Sequence, residues 1–495
     1  MEPAPNAVPE LPARATARHR WLLPASLAVV FVAVCVSRVV VFPASIWEQD
    51  EAYFAAAVVE IDLDASAPHP PFFPLWIGIG KVVALLGFAP AMSLQLASAV
   101  LGSLVFFPLF VLWSRFMAPA LALSATVLGL AMPGVWLLSG RAFSGTAATA
   151  MLVAALACWT RPVPDRRWLA AGSVAAGLSI LIRPHFILVI AAVMFTLLTK
   201  TNRENRLTVI APAAAVVLVG TIIFIVAAGG PAAVAAASSR HGALHFGDLP
   251  SASRNPIDSG LFASLGHPVV AIGWCVLTIL GIWVVLRSPR TRSTGIPVIA
   301  ALIPVIALVL GLSNPTHPRY AVPLVLLSCG FVVVGLGRIL TERWALGAVA
   351  TTICGAGALV LPSAAIYRQQ ASPPLRALVH ADRLAVSHEA MVVIDRRLHS
   401  FVLMREASGA TSASTLFDHI VELGASPSTL DWRTVMVFEG DHHPLLVTSE
   451  STQTFTCSDN LLRRLSQDRF LDVTVADNAT LEANLGPGGP LVVLD

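Results

Sequence analysis

The 495-residue sequence is short of charge: Lys and Arg number 32, Asp and Glu 29, and the four together make up only 12% of the chain. A soluble globular chain carries roughly 25%, so water is not the main solvent of this one. The charges nearly cancel, at +3, and no long basic run supplies the stripe that neutralises nucleic-acid phosphates. Nucleic acid is therefore excluded as a partner. Cysteine is scarce too. Cys35, Cys158, Cys275, Cys329 and Cys354 fall in apolar stretches and Cys457 stands alone in a polar tail, so neither metal-ligand spacing nor a disulfide framework is present.

What is abundant is apolar: 56% of residues are hydrophobic and the mean hydropathy is +0.75. A lipid-spanning helix needs about 20 mostly apolar residues, because every backbone amide must be paired within the segment. Candidate spans lie near 21–42, 71–87, 92–114, 118–138, 141–160, 168–182, 186–199, 207–228, 268–286, 296–312, 321–340 and 344–362. The first is too long, and too poor in a small-residue cleavage site, for a removed signal peptide, and reads as an anchor. The expected fold is a polytopic α-helical membrane bundle of about 11–12 spans.

Arginine orients it. Arg14, Arg18 and Arg20 precede the first span, and Arg161, Arg166, Arg167, Lys200, Arg203, Arg206, Arg287, Arg290, Arg292, Arg338 and Arg343 fill later short loops. The positive-inside rule makes all of these cytoplasmic. Residues 1–20 are then a cytoplasmic tail and 21–362 the membrane module, with the loops 43–70, 183–185, 229–267 and 313–320 outside. One conflict remains: an odd number of candidate spans separates the outer loop at 43–70 from Arg141. Either one of 71–87, 92–114 and 118–138 is a surface or re-entrant helix, or Arg141 is inside. Residues 363–495 change character, with β-rich runs at Met391–Asp395, Thr434–Phe438 and Leu491–Leu494 and helical patterns near 374–388 and 459–468. That alternation predicts a soluble, extracytoplasmic α/β domain. With Cys457 as its one cysteine, the domain has no internal disulfide and rests on its own core or on docking to the bundle.

The first outer loop holds most of the chemistry. It runs Trp47-Glu48-Gln49-Asp50-Glu51-Ala52-Tyr53-Phe54, continues through Glu60, Asp62 and Asp64, and ends in His69-Pro70-Pro71-Phe72-Phe73-Pro74. Two adjacent carboxylates at a membrane face are costly to desolvate unless they serve as a base, a metal site or a partner for cations. A solvated acidic loop is the plainer alternative, and His69 before two prolines also fits a simple helix start. Arg38, near the outer end of the first span, reads as an interfacial anchor. His241 and His245, with Asp248, are too loosely spaced to define a metal site.

The pair Asp50-Glu51 followed by His69-Pro70-Pro71 resembles the first-loop pattern of GT-C glycosyltransferases, in particular the protein O-mannosyltransferases and the lipid A aminoarabinose transferases. Arg183-Pro184 at a hairpin turn and His317-Pro318-Arg319-Tyr320-Ala321-Val322-Pro323 opening a late span add to the likeness, which covers roughly residues 21–362. The aminoarabinose transferases have Lys where this chain has His69. The resemblance implies transfer of a sugar from a polyprenyl-phosphate donor to a glycan, lipid or protein acceptor of the cell envelope, at the extracytoplasmic face, by an inverting, base-assisted mechanism. The alternative is a multi-pass transporter or flippase, whose ionisable groups belong at mid-membrane in broken helices.

A phosphate leaving group calls for cations and hydrogen-bond donors, and an acceptor hydroxyl for a base. The resemblance assigns Asp50 as the base and Glu51 as a carboxylate that orients Asp50, holds a cation or contacts the acceptor. An Asp at its ordinary pKa of about 3.9 is a weak base, so burial beside Glu51 would have to raise it. Phosphate binding falls to Arg319, Tyr320 and Arg183, with His69 and Arg254 in reserve. Snorkelling to lipid headgroups is the rival role for Arg183 and Arg319. The sequence names no cofactor, while a divalent ion on Glu51, His241 or His245 stays open. Abundant Ala, Val, Gly, Pro and Arg with little Lys point to a GC-rich bacterial genome, for which lipid-linked mannose or arabinofuranose are natural donors.

Overall fold

The structure, a computed structural model, describes residues 13–162, 165–246, 260–309 and 318–372, with short stretches of the tail, chiefly 391–394, 396–407, 435–439 and 443–447. Helices α1 (Ala13–Val40), α2 (Gln49–Val59), α3 (Pro74–Ala84), α4 (Pro90–Leu104), α5 (Phe106–Trp113), α6 (Pro119–Ala131), α7 (Pro133–Leu138), α8 (Ser144–Trp159) and α9 (Arg166–Ile182) form the first half. Then follow α10 (Ile187–Leu198), α11 (Arg203–Ala227), α12 (Pro231–Phe246), α13 (Gly260–Leu265), α14 (Pro268–Arg287), α15 (Pro289–Ala307), α16 (Val322–Ile339) and α17 (Glu342–Gln369). Proline sets many of the starts: Pro74, Pro90, Pro119, Pro133 and Pro268 stand in first turns, where a missing N–H costs nothing.

Among the described residues five helices are long and apolar enough to cross a membrane: Pro90–Trp113, Arg203–Ala227, Pro268–Arg287, Val322–Ile339 and Glu342–Gln369. Shorter apolar helices stand between them, among them Pro24–Val39, Pro119–Ala131, Ser144–Trp159 and Pro184–Leu198. Exposed Leu218, Ile222 and Val226 on α11 and Val276 and Ile279 on α14 turn outward, as expected where the surrounding solvent is hydrocarbon. Packing inside is close. A Cβ on Gly281 would stand 1.9 Å from the Phe331 carbonyl oxygen, so α14 and α16 cross backbone to backbone only because this residue has no side chain.

Side-chain contacts sort the loops into two ends. At one end Arg115 bonds Thr160 and the Ala157 carbonyl, Arg166 reaches Glu204 and Asn205, and Lys200 bonds the Ser293 carbonyl. The other end gathers residues 44–51, 58–76, 141–145, 183–185, 319–320 and 367. There Trp76 Nε1 donates to the Ala142 carbonyl at 3.3 Å, Lys81 Nζ to the Val58 carbonyl at 2.9 Å, and the Ala44 amide to the Tyr367 carbonyl at 2.8 Å. Arg141 therefore shares the end of the first loop. Of the three segments in question, 71–87 holds the least helix: α3 has 11 residues, about 16 Å at 1.5 Å per residue, against roughly 30 Å of hydrocarbon.

Three expectations change. Arg38 is 2% exposed, its Nη2 donating to the Leu130 carbonyl where proline ends α6, so it is inside the bundle and not an interfacial anchor. The last helix runs to Gln369, past the expected boundary at 362. Beyond it, β1 (Met391–Ile394), β2 (Val435–Glu439) and β3 (His443–Val447) pair antiparallel in that order, and β4 (Thr452–Gln453) pairs with β5 (Val493–Leu494). Of the helical pattern near 374–388 only Leu375 and Val379 are described, both as helix, and the pattern near 459–468 lies outside the described residues. A tail helix that hydropathy alone does not mark, α18 (Arg396–Ala407), packs on α2 and buries Phe401, Val402 and Met404 in the main core.

Candidate active site

The site begins with how α2 is started. Glu51 folds its carboxylate back onto the amides of Trp47 (3.1 Å) and Glu48 (3.0 Å), donors that a helix start leaves open. Its other oxygen accepts from the Ala142 amide at 2.9 Å, and Arg141 closes on both oxygens. Glu51 is fully buried and its oxygens are committed to this scaffold. Neighbouring residues on a helix point about 100° apart, and the contacts of Glu51 are with the Trp47, Glu48 and Ala142 amides and Arg141.

Asp50 faces the opposite way. Its Oδ2 lies 2.7 Å from Arg319 Nη1 and 3.9 Å from His69 Nε2. Arg319 Nη1 also meets Glu48 Oε2 at 3.0 Å, and Glu48 Oε1 meets Arg141 Nη1 at 3.1 Å. Charges thus alternate along one line: Glu51, Arg141, Glu48, Arg319, Asp50. Burial opposes the charge on Arg319, but Asp50 and Glu48 outweigh it and hold that guanidinium above its ordinary range; Glu51 and Glu48 do the same for buried Arg141. Phe143 floors both, 4.9 Å from Arg141 and 5.1 Å from Arg319.

The turn into α3 delivers His69. Phe72 and Phe73 adopt φ of 75° and 51°, a left-handed conformation unfavourable for bulky residues. Ring packing holds them there, Phe73 against Phe54 at 4.8 Å and Phe72 against Phe224 at 5.5 Å. His69 stacks on Phe54 at 5.2 Å and near-parallel to His241 of α12 at 6.1 Å. His69 therefore stands beside Asp50.

Arg183 ends α9. It is 5% exposed, its Nε donates to His185 Nε2, and it lies over the Tyr320 ring at 5.2 Å. Among the described residues no carboxylate stands within ion-pair distance of it. Burial pulls its guanidinium down to about 10, which leaves it charged at neutral pH. Tyr320 lies between the cations, its hydroxyl 3.5 Å from Arg319 Nη2.

The structure thus brings together Asp50, His69, Arg183, Arg319 and Tyr320, and adds four residues that the sequence reading gave no role: Glu48, Arg141, Phe143 and His185. Arg254, His317 and Asp248 lie outside the described residues, as does the side chain of His245. His241 reaches the rim through His69. Among the described residues no three His, Cys, Asp or Glu side chains stand together as a metal group.

Residues 69–229 match the Alg9-like mannosyltransferase family. No curated protein matches the chain in sequence. Among solved structures the chain is similar to the oligosaccharyltransferase of Archaeoglobus fulgidus tethered to an acceptor peptide containing the NVT sequon. That match has 14% identity and a TM-score of 0.50, and covers 72% of this chain and 57% of that one. The same archaeon's oligosaccharyltransferase AglB, in complex with an inhibitory peptide and a dolichol-phosphate, matches at 13% identity and a TM-score of 0.50, over 73% and 58% of the two chains. ArnT from Cupriavidus metallidurans bound to undecaprenyl phosphate gives 18% identity and a TM-score of 0.48, over 94% and 89%. The chain spans little more than half the length of the oligosaccharyltransferases. It has the GT-C membrane fold, and within that fold residues 69–229 bear the sequence pattern of the Alg9-like mannosyltransferases.

Proposed function

We propose that the chain is a membrane glycosyltransferase that moves a sugar from a polyprenyl-phosphate donor to a cell-envelope acceptor by inverting displacement in the cluster around Asp50. The observation that carries this reading is Arg183. It is a buried cation with no carboxylate within ion-pair distance among the described residues, 5.2 Å from the Tyr320 ring, next to an Arg–Asp pair. A buried charge without a counter-ion is costly, and an anionic ligand supplies what is missing. AglB, which shares the fold, holds a dolichol-phosphate. The family match over residues 69–229 favours a mannosyl donor over an arabinofuranosyl one.

In the reaction the acceptor hydroxyl oxygen attacks the anomeric carbon and the bond from that carbon to the phosphate oxygen breaks. The electron pair leaves with polyprenyl phosphate, and Asp50 takes the hydroxyl proton. Arg183, Arg319 and Tyr320 receive the charge that develops on the phosphate. His69 belongs to the base side, holding Asp50, and Glu51 serves as scaffold rather than as metal or acceptor ligand.

The basic end of the bundle is cytoplasmic by the positive-inside rule. About eleven crossings follow, with α4–α5 and α6–α7 counted as one each and α2, α3, α12 and α13 at the outer end. The N-terminus is then cytoplasmic, and the tail forms an extracytoplasmic α/β domain docked through α18. Purified protein incubated with polyprenyl-phosphate mannose and candidate glycan, lipid or peptide acceptors should release polyprenyl phosphate. Release only from nucleotide sugars would overturn the donor assignment.

A further inference from the structure

We propose that the amino end of α8 is a phosphate cradle, closed by Arg183, which can approach it because Gly145 has no side chain. The proposal rests on the donor reading above and names where the donor's phosphate sits. Helix α8 opens at Ser144 after an extended Phe143 (φ −97°, ψ 140°), and no side chain caps it. Its first amides therefore lack intrahelical acceptors, and the helix end carries partial positive charge, the arrangement that binds oxyanions.

A separate observation marks the same point. A Cβ on Gly145 would lie 2.7 Å from Arg183 Nη1 and 3.5 Å from the Arg319 carbonyl oxygen. The guanidinium thus packs against the first turn of α8, and any side chain at position 145 would push it away from the helix end. Arg183 is held in this pose by the bond from its Nε to His185 Nε2, so that imidazole is unprotonated at Nε2 and acts as a positioning group. The same turn holds the Thr146 hydroxyl, 1% exposed as a residue and without a hydrogen-bond partner among the described residues. Helix amides, a hydroxyl and a planar guanidinium together match a tetrahedral phosphate. Asp50, whose charge acts on Arg183, is itself engaged by Arg319.

The test titrates full-length protein in detergent with undecaprenyl phosphate and, separately, with inorganic phosphate. Wild type, Gly145→Ala, Arg183→Gln and the double variant are compared. Wild type should bind undecaprenyl phosphate, and each single variant should weaken it about tenfold or more. The double variant should lose little beyond the larger single loss, as expected of one shared site. Ala is a better helix former than Gly, so Gly145→Ala should melt no lower than wild type. If it did not fold, Thr146→Val reads the same turn, and unchanged affinity there would overturn the cradle. Wild-type affinity in a folded Gly145→Ala overturns it directly while leaving the donor reading intact. A wild-type protein that binds neither phosphate removes both. Binding of inorganic phosphate alone, lost in Gly145→Ala, supports the cradle but makes free phosphate its ligand.

Discussion

Replacing Asp50 by Asn separates the two jobs assigned to the cluster. The amide keeps the size of the carboxylate and an oxygen that can still accept from Arg319 Nη1, 2.7 Å away in the native protein, so the fold should hold. It cannot take the acceptor proton, and general-base help is worth about 10²–10⁴ in rate; turnover should fall by that factor. Donor binding should move the other way. Arg319 divides its Nη1 between Asp50 and Glu48, and a charge-assisted bond contributes roughly 1.5–3 kcal/mol. Both carboxylate side chains are 30% exposed, so solvent screening brings the release to about 1 kcal/mol or less. Binding of undecaprenyl phosphate should therefore tighten by up to about fivefold. Single-turnover kinetics measured beside equilibrium binding reads both numbers. Transfer near the wild-type rate would remove Asp50 as the base and send the search to His69; a collapse of donor affinity would show that Arg319 depends on Asp50 for its position.

Arg319→Ala should weaken donor binding by about 1.5–3 kcal/mol, roughly 10- to 150-fold, and undiminished affinity in a binding titration would take Arg319 out of the phosphate site. Glu51→Gln leaves Arg141 buried with one carboxylate and should cost about 3–5 kcal/mol of stability, read as a fall in thermal midpoint; turnover that survives exhaustive chelation would separately dismiss a metal on Glu51. Phe401→Ala should loosen α18 from α2 at a cost of about 3–5 kcal/mol and raise the KM for acceptor more than the Kd for donor. The opposite pattern would refute the division of labour proposed for the tail. Arg38, with Nε and Nη1 unpartnered among the described residues, should be replaceable by Met with no loss of stability, and a gain of about 1–4 kcal/mol is in reach; a large drop in melting temperature would mean that its bond to the Leu130 carbonyl holds the α6–α7 break.

The sequence made one half of the site legible and hid the other. Asp50, Glu51 and His69 stand out because they fall in a polar loop between apolar runs, and Arg183 and Arg319 because each adjoins a proline at a helix boundary. What joins them is separation in sequence: Arg319 meets Glu48 across 271 positions and Arg141 meets Glu51 across 90, distances that no local pattern encodes. Arg141 did leave a trace, as the residue that broke the count of spans, and its pairing with the first loop together with the shortness of α3 accounts for it. Glu48, Asp50 and Glu51 show how three acids can divide meaning, since helix geometry alone sends Glu51 inward and Asp50 toward the cluster. His185 gave no signal beyond following Arg183-Pro184. In the tail, the β-rich runs were legible from alternation, whereas α18, with a basic start and an apolar middle, becomes recognisable only by what it covers.

The line of alternating charges from Glu51 to Asp50 also bears on how such a protein can change over time. Glu48 serves two arginines at once, 3.1 Å from Arg141 and 3.0 Å from Arg319, so a substitution at any one position leaves an unbalanced charge at the next. Paired changes at neighbouring positions should be far from additive, and single-step drift through the five is closed. Variation among descendants of this chain is then expected to arrive in linked sets, with an acid and its arginine replaced together, while the outward faces of α11 and α14 change one residue at a time.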